Sequence, residues 1–127
     1  MQHYLLIFAG GGLGAAGRHY VSGLALRYLS PAFPYGTLAV NVIGSLVMGL
    51  FIGWLVHRGG ASGNLRLFFA TGVLGGFTTF SAFSLDFANL WERGDVSGAA
   101  LYVALSVFAS LVAVFAGLWL ARFVFVA

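Results

Sequence analysis

Hydroxyl and amide side chains recur every fourth residue in two stretches that are otherwise apolar. Residues four apart lie about 40° from one another around a helix axis, so each row would follow one helix face. Such groups donate hydrogen bonds without carrying a charge. Either row alone is typical of helix–helix contacts, but two rows in so short a chain favour a shared polar track. The rows consist of Thr37, Asn41 and Ser45 in one stretch, and of Tyr102, Ser106 and Ser110 in the other.

Asn41 is the one amide side chain within its apolar stretch. Its NH₂ group brings two donors into a region of low dielectric, and burial without a partner would cost a few kcal/mol. Two interpretations stay open at this point. Asn41 either makes a structural hydrogen bond between helices or offers a donor to a passing anion.

A glycine pair and a threonine pair interrupt a third apolar stretch. Residues 71–84 read TGVLGGFTTFSAFS, and glycine and threonine are poor helix formers. Inside a membrane, freed backbone groups are tolerated only against protein, an ion or water. The segment therefore predicts a helix that is broken mid-membrane and whose ends can hold a small ion. Phe80, Phe83 and Phe87 follow the break on one face, a pattern that is also typical of core or lipid packing.

Two charged residues, Arg18 and Asp86, fall within apolar stretches. Each costs about 2.5–3.5 kcal/mol at a helix centre on insertion scales, so such residues are functional candidates. Arg18 either sets a positive potential in a vestibule that attracts anions, or it stabilises assembly by snorkelling or pairing.

Four helices must position these side chains. A span needs about 20 largely apolar residues, and the sequence supplies windows at 4–26, 37–56, 67–90 and 99–121. Short connections at 30–34, 57–64 and 92–95 carry proline, glycine or charge. The sequence therefore predicts one all-α membrane domain over residues 1–127, with its first segment retained as a helix.

The composition excludes most other classes of protein. Of the 127 residues, 61% are hydrophobic and 7% are charged, against roughly 25% charged in soluble domains. Cysteine is absent, which excludes disulfides and thiolate metal sites. The net charge of +3 is too small and too scattered for a nucleic-acid surface. Nucleotide-binding and hydrolase motifs are missing, so we do not expect an enzyme.

Three motifs resemble those of the Fluc family of bacterial fluoride channels. Residues 11–18 (GGLGAAGR) resemble the first-helix motif, residues 36–45 (GTLAVNVIGS) the second, and residues 75–84 (GGFTTFSAFS) the third, which is the most specific. The order, the spacing and the four-helix length agree over nearly the whole chain. The resemblance implies a multi-pass protein of the cell (inner) membrane, a dual-topology homodimer of antiparallel subunits with two pores, and passive exit of fluoride that lowers its level in the cytoplasm.

The resemblance also assigns roles to particular residues. It implies that Phe80 and Phe83 are pore phenylalanines and that Asn41 is the pore amide. The backbone carbonyls of Gly75 and Thr78 would bind a structural sodium ion at the dimer centre. Where many relatives have a hydroxyl residue this chain has Ala82, which removes one element of the polar track. The remaining members of that track would be Ser81, Tyr102 and Ser106.

Fluoride suits such a pore chemically. Its desolvation cost should exceed the roughly 20 kcal/mol idealised for a carboxylate-sized ion, so the pore must supply hydrogen-bond donors. An aromatic ring presents the positive edge of its quadrupole and can border an anion without trapping it.

Two other functions compete with a channel. A small multidrug antiporter needs a carboxylate deep in its first span, whereas here that span has none and Asp86 lies late in the third. A non-conducting membrane subunit would use the polar rows for packing alone, which leaves the Gly-Gly-Phe-Thr-Thr segment unexplained.

Overall fold

The computed structural model describes residues 1–59 and 63–125, and every regular element within them is a helix. Each predicted window falls inside one helical region, and the break predicted in the third region is present. The elements in chain order are α1 (Gln2–Tyr28), α2 (Tyr35–His57), α3 (Gly63–Arg66), a π-helical segment (Leu67–Leu74), α4 (Gly75–Phe77), α5 (Ser81–Glu92) and α6 (Val96–Val124). We refer to the region from α3 through α5 as the broken helix.

Three helical regions in the described part of the chain are long and apolar enough to cross a membrane. They are Tyr35–His57, Gly63–Glu92 and Val96–Val124, so three of the four predicted spans are confirmed. With 27 residues, α1 is about 40 Å long at 1.5 Å per residue, and length does not prevent it from spanning. Its glycines and the Arg18–His19 pair make it less apolar than the other three.

Glycines bring α2 and α6 into backbone contact. A Cβ atom added to Gly49 would collide with the Val114 carbonyl oxygen, and one added to Gly117 would collide with the Leu46 carbonyl oxygen. One turn further on, Gly53 lies against Ala121. Residue numbers rise together along both helices, so α2 and α6 run parallel.

A second pair of glycines seats α1 against the broken helix. Gly10 lies against Phe68 and Gly72, and Gly14 lies against Val73, with the Phe77 nitrogen 2.7 Å from a Cβ added at Gly14. These two elements also run parallel. The helical regions therefore alternate in direction along the chain, as consecutive membrane spans with short connections must.

The contact with α6 divides the face of α2 that carries the polar row into a closed half and an open half. Gly49 and Gly53 continue the Asn41–Ser45 row at four-residue spacing, and this glycine half is closed against α6. The polar half, at Asn41 and Ser45, borders an open groove instead. One helix face thus serves packing at one end and lines a cavity at the other.

We expect Gly49→Ala to destabilise the protein by about 1–3 kcal/mol or more, because the added methyl group overpacks a backbone contact. Gly12→Ala is the matched control, since a Cβ at Gly12 meets no other atom within 4 Å. Thermal melting of the detergent-solubilised variants measures the difference. Equal melting temperatures for the two variants would contradict this account of the α2–α6 contact.

The connections on one side of the bundle are tied together. Arg93 donates a hydrogen bond to the Ala32 carbonyl, which joins the predicted turns at 30–34 and 92–95. Gly94 has a φ of +83°, and the Asp95 carboxylate caps α6 by accepting from the Gly98 nitrogen at 2.9 Å. The predicted loop at 57–64 lies partly outside the described residues.

Candidate functional site

The helix breaks at Thr78, whose backbone is extended, with φ −86° and ψ 159°. The Thr78 N–H and hydroxyl both donate to the Leu74 carbonyl at 3.0 Å, which ends the first half of the helix. The second half, α5, begins at Ser81. Carbonyl oxygens from one half-helix and N–H groups from the other therefore meet near residues 78–80.

Asn41 holds the backbone of the break with both ends of its side chain. The Thr79 N–H donates to Asn41 Oδ1 at 2.8 Å, and Asn41 Nδ2 donates to the Thr79 carbonyl at 3.0 Å. The structural interpretation of Asn41 is therefore realised. An NH₂ group has two donors, so one N–H of Asn41 is left for another acceptor, and Asn41 also borders the groove.

The groove is a cavity of about 610 Å³ between α2, the break and α6. It brings together six of the nine site residues predicted from the sequence, and none of the described residues that line it has an ionisable side chain. The predicted residues on its wall are Asn41, Gly75, Thr78, Phe80, Phe83 and Ser106; the others are Gly44, Ser45, Met48, Thr79, Val107, Ser110, Leu111 and Val114.

Two serine hydroxyls in this groove have no partner within residues 1–59 and 63–125. Ser106 Oγ and Ser110 Oγ are buried and make no hydrogen bond with that part of the chain, and both residues line the groove one helical turn apart. Buried polar atoms usually have a partner, and an orphaned one calls for an explanation. An acceptor that enters the groove would supply it.

Aromatic rings border the groove. The Phe80 side chain is 68% exposed, and its ring centroid lies 5.5 Å from that of Phe83. Phe83 in turn lies 5.1 Å from Tyr102 and packs against the buried cluster of Leu90, Ala99 and Tyr102. Phe80 projects freely, whereas Phe83 is anchored in the protein.

Tyr102 and Ser81 lie outside the groove wall. The fully buried Tyr102 donates its hydroxyl to Asp86 Oδ2 at 3.1 Å, and Asp86 borders a second pocket of about 270 Å³ that Thr37 also lines. Ser81 is exposed, and its Oγ lies 3.4 Å from the hydroxyl oxygen of Thr79. Their membership of a polar track stays a prediction.

Arg18 contacts the end of the first half-helix. Its Nε donates to the Gly76 carbonyl at 3.1 Å, which is a favourable place for a cation because the C-terminal end of a helix carries partial negative charge. Asp86 accepts from Tyr102, and the one ion pair within residues 1–59 and 63–125 joins Arg93 and Asp95 at 3.9 Å. Arg18 and Asp86 therefore do not form a pair.

Thr79 was not among the residues selected from the sequence, although it is central to the break. Its peptide group pairs with Asn41, and its hydroxyl accepts from the Ala82 nitrogen at 3.1 Å at the start of α5. A threonine shortly before a helix start is a recognisable capping signal. The Asn41 partnership is a tertiary contact that no local pattern indicates.

The break also offers carbonyl oxygens that could act as ligands of a hard cation. Among the described residues, nothing donates a hydrogen bond to the carbonyl oxygens of Gly75, Phe77 or Thr78. Uncharged carbonyl oxygens suit hard cations, and Gly75 and Thr78 are the two predicted ligands. The residues present therefore fit a small cation.

Comparison with known proteins adds an independent observation. The family described as CrcB-like protein, Camphor Resistance (CrcB), matches residues 5–118, a range that includes every groove residue. A Mesorhizobium japonicum protein named fluoride-specific ion channel FluC is 56% identical over 96% of this chain and 98% of its own length. Proteins of the same name from Rhodopseudomonas palustris (57%, over 94% and 96%) and Hyphomonas neptunium (51%, over 98% and 99%) are similarly close.

Proposed function

The chain belongs to the CrcB/FluC family of fluoride-specific ion channels, and from this premise we propose that fluoride leaves the cytoplasm passively along the groove between α2, the break and α6. The observation that carries the proposal is the pair of buried, unpartnered hydroxyls of Ser106 and Ser110. Together with the remaining N–H of Asn41, they give a dehydrated anion a line of donors.

The groove binds fluoride weakly enough to release it. Conduction requires favourable entry without trapping, and the described residues that border this cavity carry no charged side chain. Ring edges of Phe80 and Phe83 add a weak positive potential to the neutral donors. Such a site replaces part of the hydration shell but does not form a strong ion pair.

The outer parts of the pathway use the other predicted residues. Tyr102 contacts Phe83 of the groove and Asp86 of the second pocket, and Ser81 lies beside Thr79 at the start of α5. We assign both to the polar track together with Ser106. Arg18, held on the Gly76 carbonyl, contributes positive potential near the break and attracts anions to the vestibule.

A second, inverted copy of the chain completes the site. Phe80 is largely exposed in the single chain, and Gly75 and Thr78 supply only part of a cation's ligands. A two-fold axis in the membrane plane would bring the same patch of each subunit together. The bound sodium ion would then be shared equally, and it would hold the two breaks together through electrostatic attraction to their carbonyl oxygens.

We place all four helical regions across the inner membrane. Three qualify by length and hydropathy, and α1 runs parallel to the broken helix along a close glycine contact. Both termini then share a side with the 57–64 connection. The arginines divide almost evenly, with Arg58, Arg66 and Arg122 on that side and Arg27, Arg93 and Arg18 on or toward the other.

Reconstituted protein tests passive transport. Liposomes loaded with fluoride should release it down its gradient, as read by a fluoride electrode, with valinomycin carrying the compensating potassium. The rate should be unchanged when a proton ionophore collapses any proton gradient. A release rate that rises when the ionophore dissipates accumulated protons would indicate a proton-coupled antiporter, and no release would indicate a non-conducting subunit.

A further inference from the structure

At the break, one backbone hydrogen bond of a regular helix is replaced by a bond to a side chain. In a continuous helix the Thr79 N–H would bond to the carbonyl four residues earlier, that of Gly75. Here it donates to Asn41 Oδ1 at 2.8 Å. The Gly75 carbonyl has thereby lost its regular helical donor to a side chain from α2.

Three nearby carbonyls accept hydrogen bonds. The Leu74 carbonyl accepts from Thr78, the Gly76 carbonyl accepts from Arg18 at 3.1 Å, and the Thr79 carbonyl accepts from Asn41 at 3.0 Å. The Gly75 carbonyl differs from them because its natural donor is close by and is held elsewhere. Its availability therefore depends on Asn41.

We propose that Asn41, besides bordering the groove, is the positioning residue that keeps the Gly75 carbonyl free for the cation. This inference rests on the proposed function for the cation site itself. An intramolecular hydrogen bond is worth about 0.5–1.5 kcal/mol net, and a buried orphan group costs more. Without Asn41 Oδ1, the Thr79 N–H would return to Gly75, extend the first half-helix and remove a ligand.

The proposal links the two ion sites through one side chain. Asn41 uses its oxygen and one N–H on the Thr79 peptide and has one N–H left beside the groove. A substitution at this position should therefore change cation affinity as well as anion flux. A residue that only lines the pore would change flux alone.

A sodium titration of the purified, full-length protein in detergent tests the coupling. Melting is followed by tryptophan fluorescence as sodium chloride replaces N-methylglucamine chloride at constant ionic strength, without fluoride. We expect sodium to raise the wild-type melting temperature with the RT ln(1 + [Na⁺]/Kd) dependence of a ligand that binds only the folded protein. In Asn41→Leu the half-saturating sodium concentration, which is the Kd fitted to that dependence, should rise about tenfold, which corresponds to about 1.4 kcal/mol.

Two further variants separate the coupling from general damage. Asn41→Asp keeps the acceptor for the Thr79 N–H, so its half-saturating sodium concentration should be no higher than that of the wild type. Ser45→Ala removes a polar group from the groove one turn along α2 without touching Thr79, and should titrate as the wild type.

The possible results of these titrations distinguish failure of the inference from failure of the sodium site itself. An Asn41→Leu protein with wild-type sodium dependence would overturn the inference. If Asn41→Leu does not fold, weakened sodium binding in Asn41→Asp, with Ser45→Ala unaffected, would overturn it instead. A wild-type protein without any sodium effect would overturn both the inference and the sodium site, while fluoride conduction would still be judged by its own flux measurement.

Discussion

Replacing Phe80 by isoleucine should reduce fluoride flux by about tenfold or more while the protein remains folded. The Phe80 side chain is 68% exposed in the single chain, so its loss removes little packing within the subunit. Isoleucine keeps the bulk and apolarity but has no quadrupole edge to offer an anion. A tenfold loss requires only about 1.4 kcal/mol of lost stabilisation in the pore.

Phe83→Ile should give a similar loss of flux with a larger effect on stability. Phe83 borders the groove but also packs against the cluster of Leu90, Ala99 and Tyr102. Comparing the two variants therefore separates the ring edge from packing. Liposome efflux gives the flux, and size-exclusion chromatography shows whether the proposed dimer still assembles.

Phe87→Ile is the matched control for both phenylalanines. Phe87 lies on α5, stacks on Trp91 with ring centroids 6.2 Å apart, and does not line the groove. We expect its flux to stay near that of the wild type. Unchanged flux in both Phe80→Ile and Phe83→Ile would indicate that these two phenylalanines serve packing and not conduction.

Forcing a single orientation should nearly abolish flux. Three arginines on one side against two or three on the other give almost no bias under the rule that sets topology from Lys and Arg in short loops. We expect such a chain to insert both ways, as the proposed antiparallel dimer needs. Val124→Lys with Phe125→Lys adds two charges beside Arg122, at exposed positions near the end of α6, and should leave the inverted subunit missing.

Co-expression provides the rescue. Tyr28→Lys with Leu29→Lys adds two charges on the opposite side, again at exposed positions, and should insert in the other orientation. Each variant alone should be nearly inactive, and the pair together should recover flux. The substitutions Val124→Ser and Phe125→Ser control for lost side chains. Full activity from either lysine variant alone would contradict the antiparallel dimer.

The sequence indicated the break because its cause is local. Two glycines and two threonines in succession weaken the helix wherever they occur, and the structure is extended at Thr78, the first of those threonines. The π-helical turns at Leu67–Leu74 were not predicted, because their residues have ordinary apolar composition. Their geometry accompanies the tight contact with Gly10 and Gly14 of α1.

The partners of the polar side chains were harder to predict. Spacing placed Asn41 and Ser106 in two rows that favour a shared polar track, and both residues line the groove. The same reasoning put Tyr102 in a row with Ser106, but the structure turns its hydroxyl to Asp86. Helical periodicity gives the direction of a side chain around its own axis. The acceptor that it meets depends on the neighbouring helix, which periodicity does not describe.

Anion selectivity, measured as paired fluoride and chloride efflux from the same liposome preparation, tests the central claim most directly. Ion-specific electrodes follow both anions after a potassium gradient is released with valinomycin. Because the groove offers neutral donors and no fixed charge, we expect fluoride to leave at least about a hundredfold faster than chloride, a barrier difference of about 2.7 kcal/mol. Equal rates for the two anions would contradict a fluoride-specific pathway through this groove.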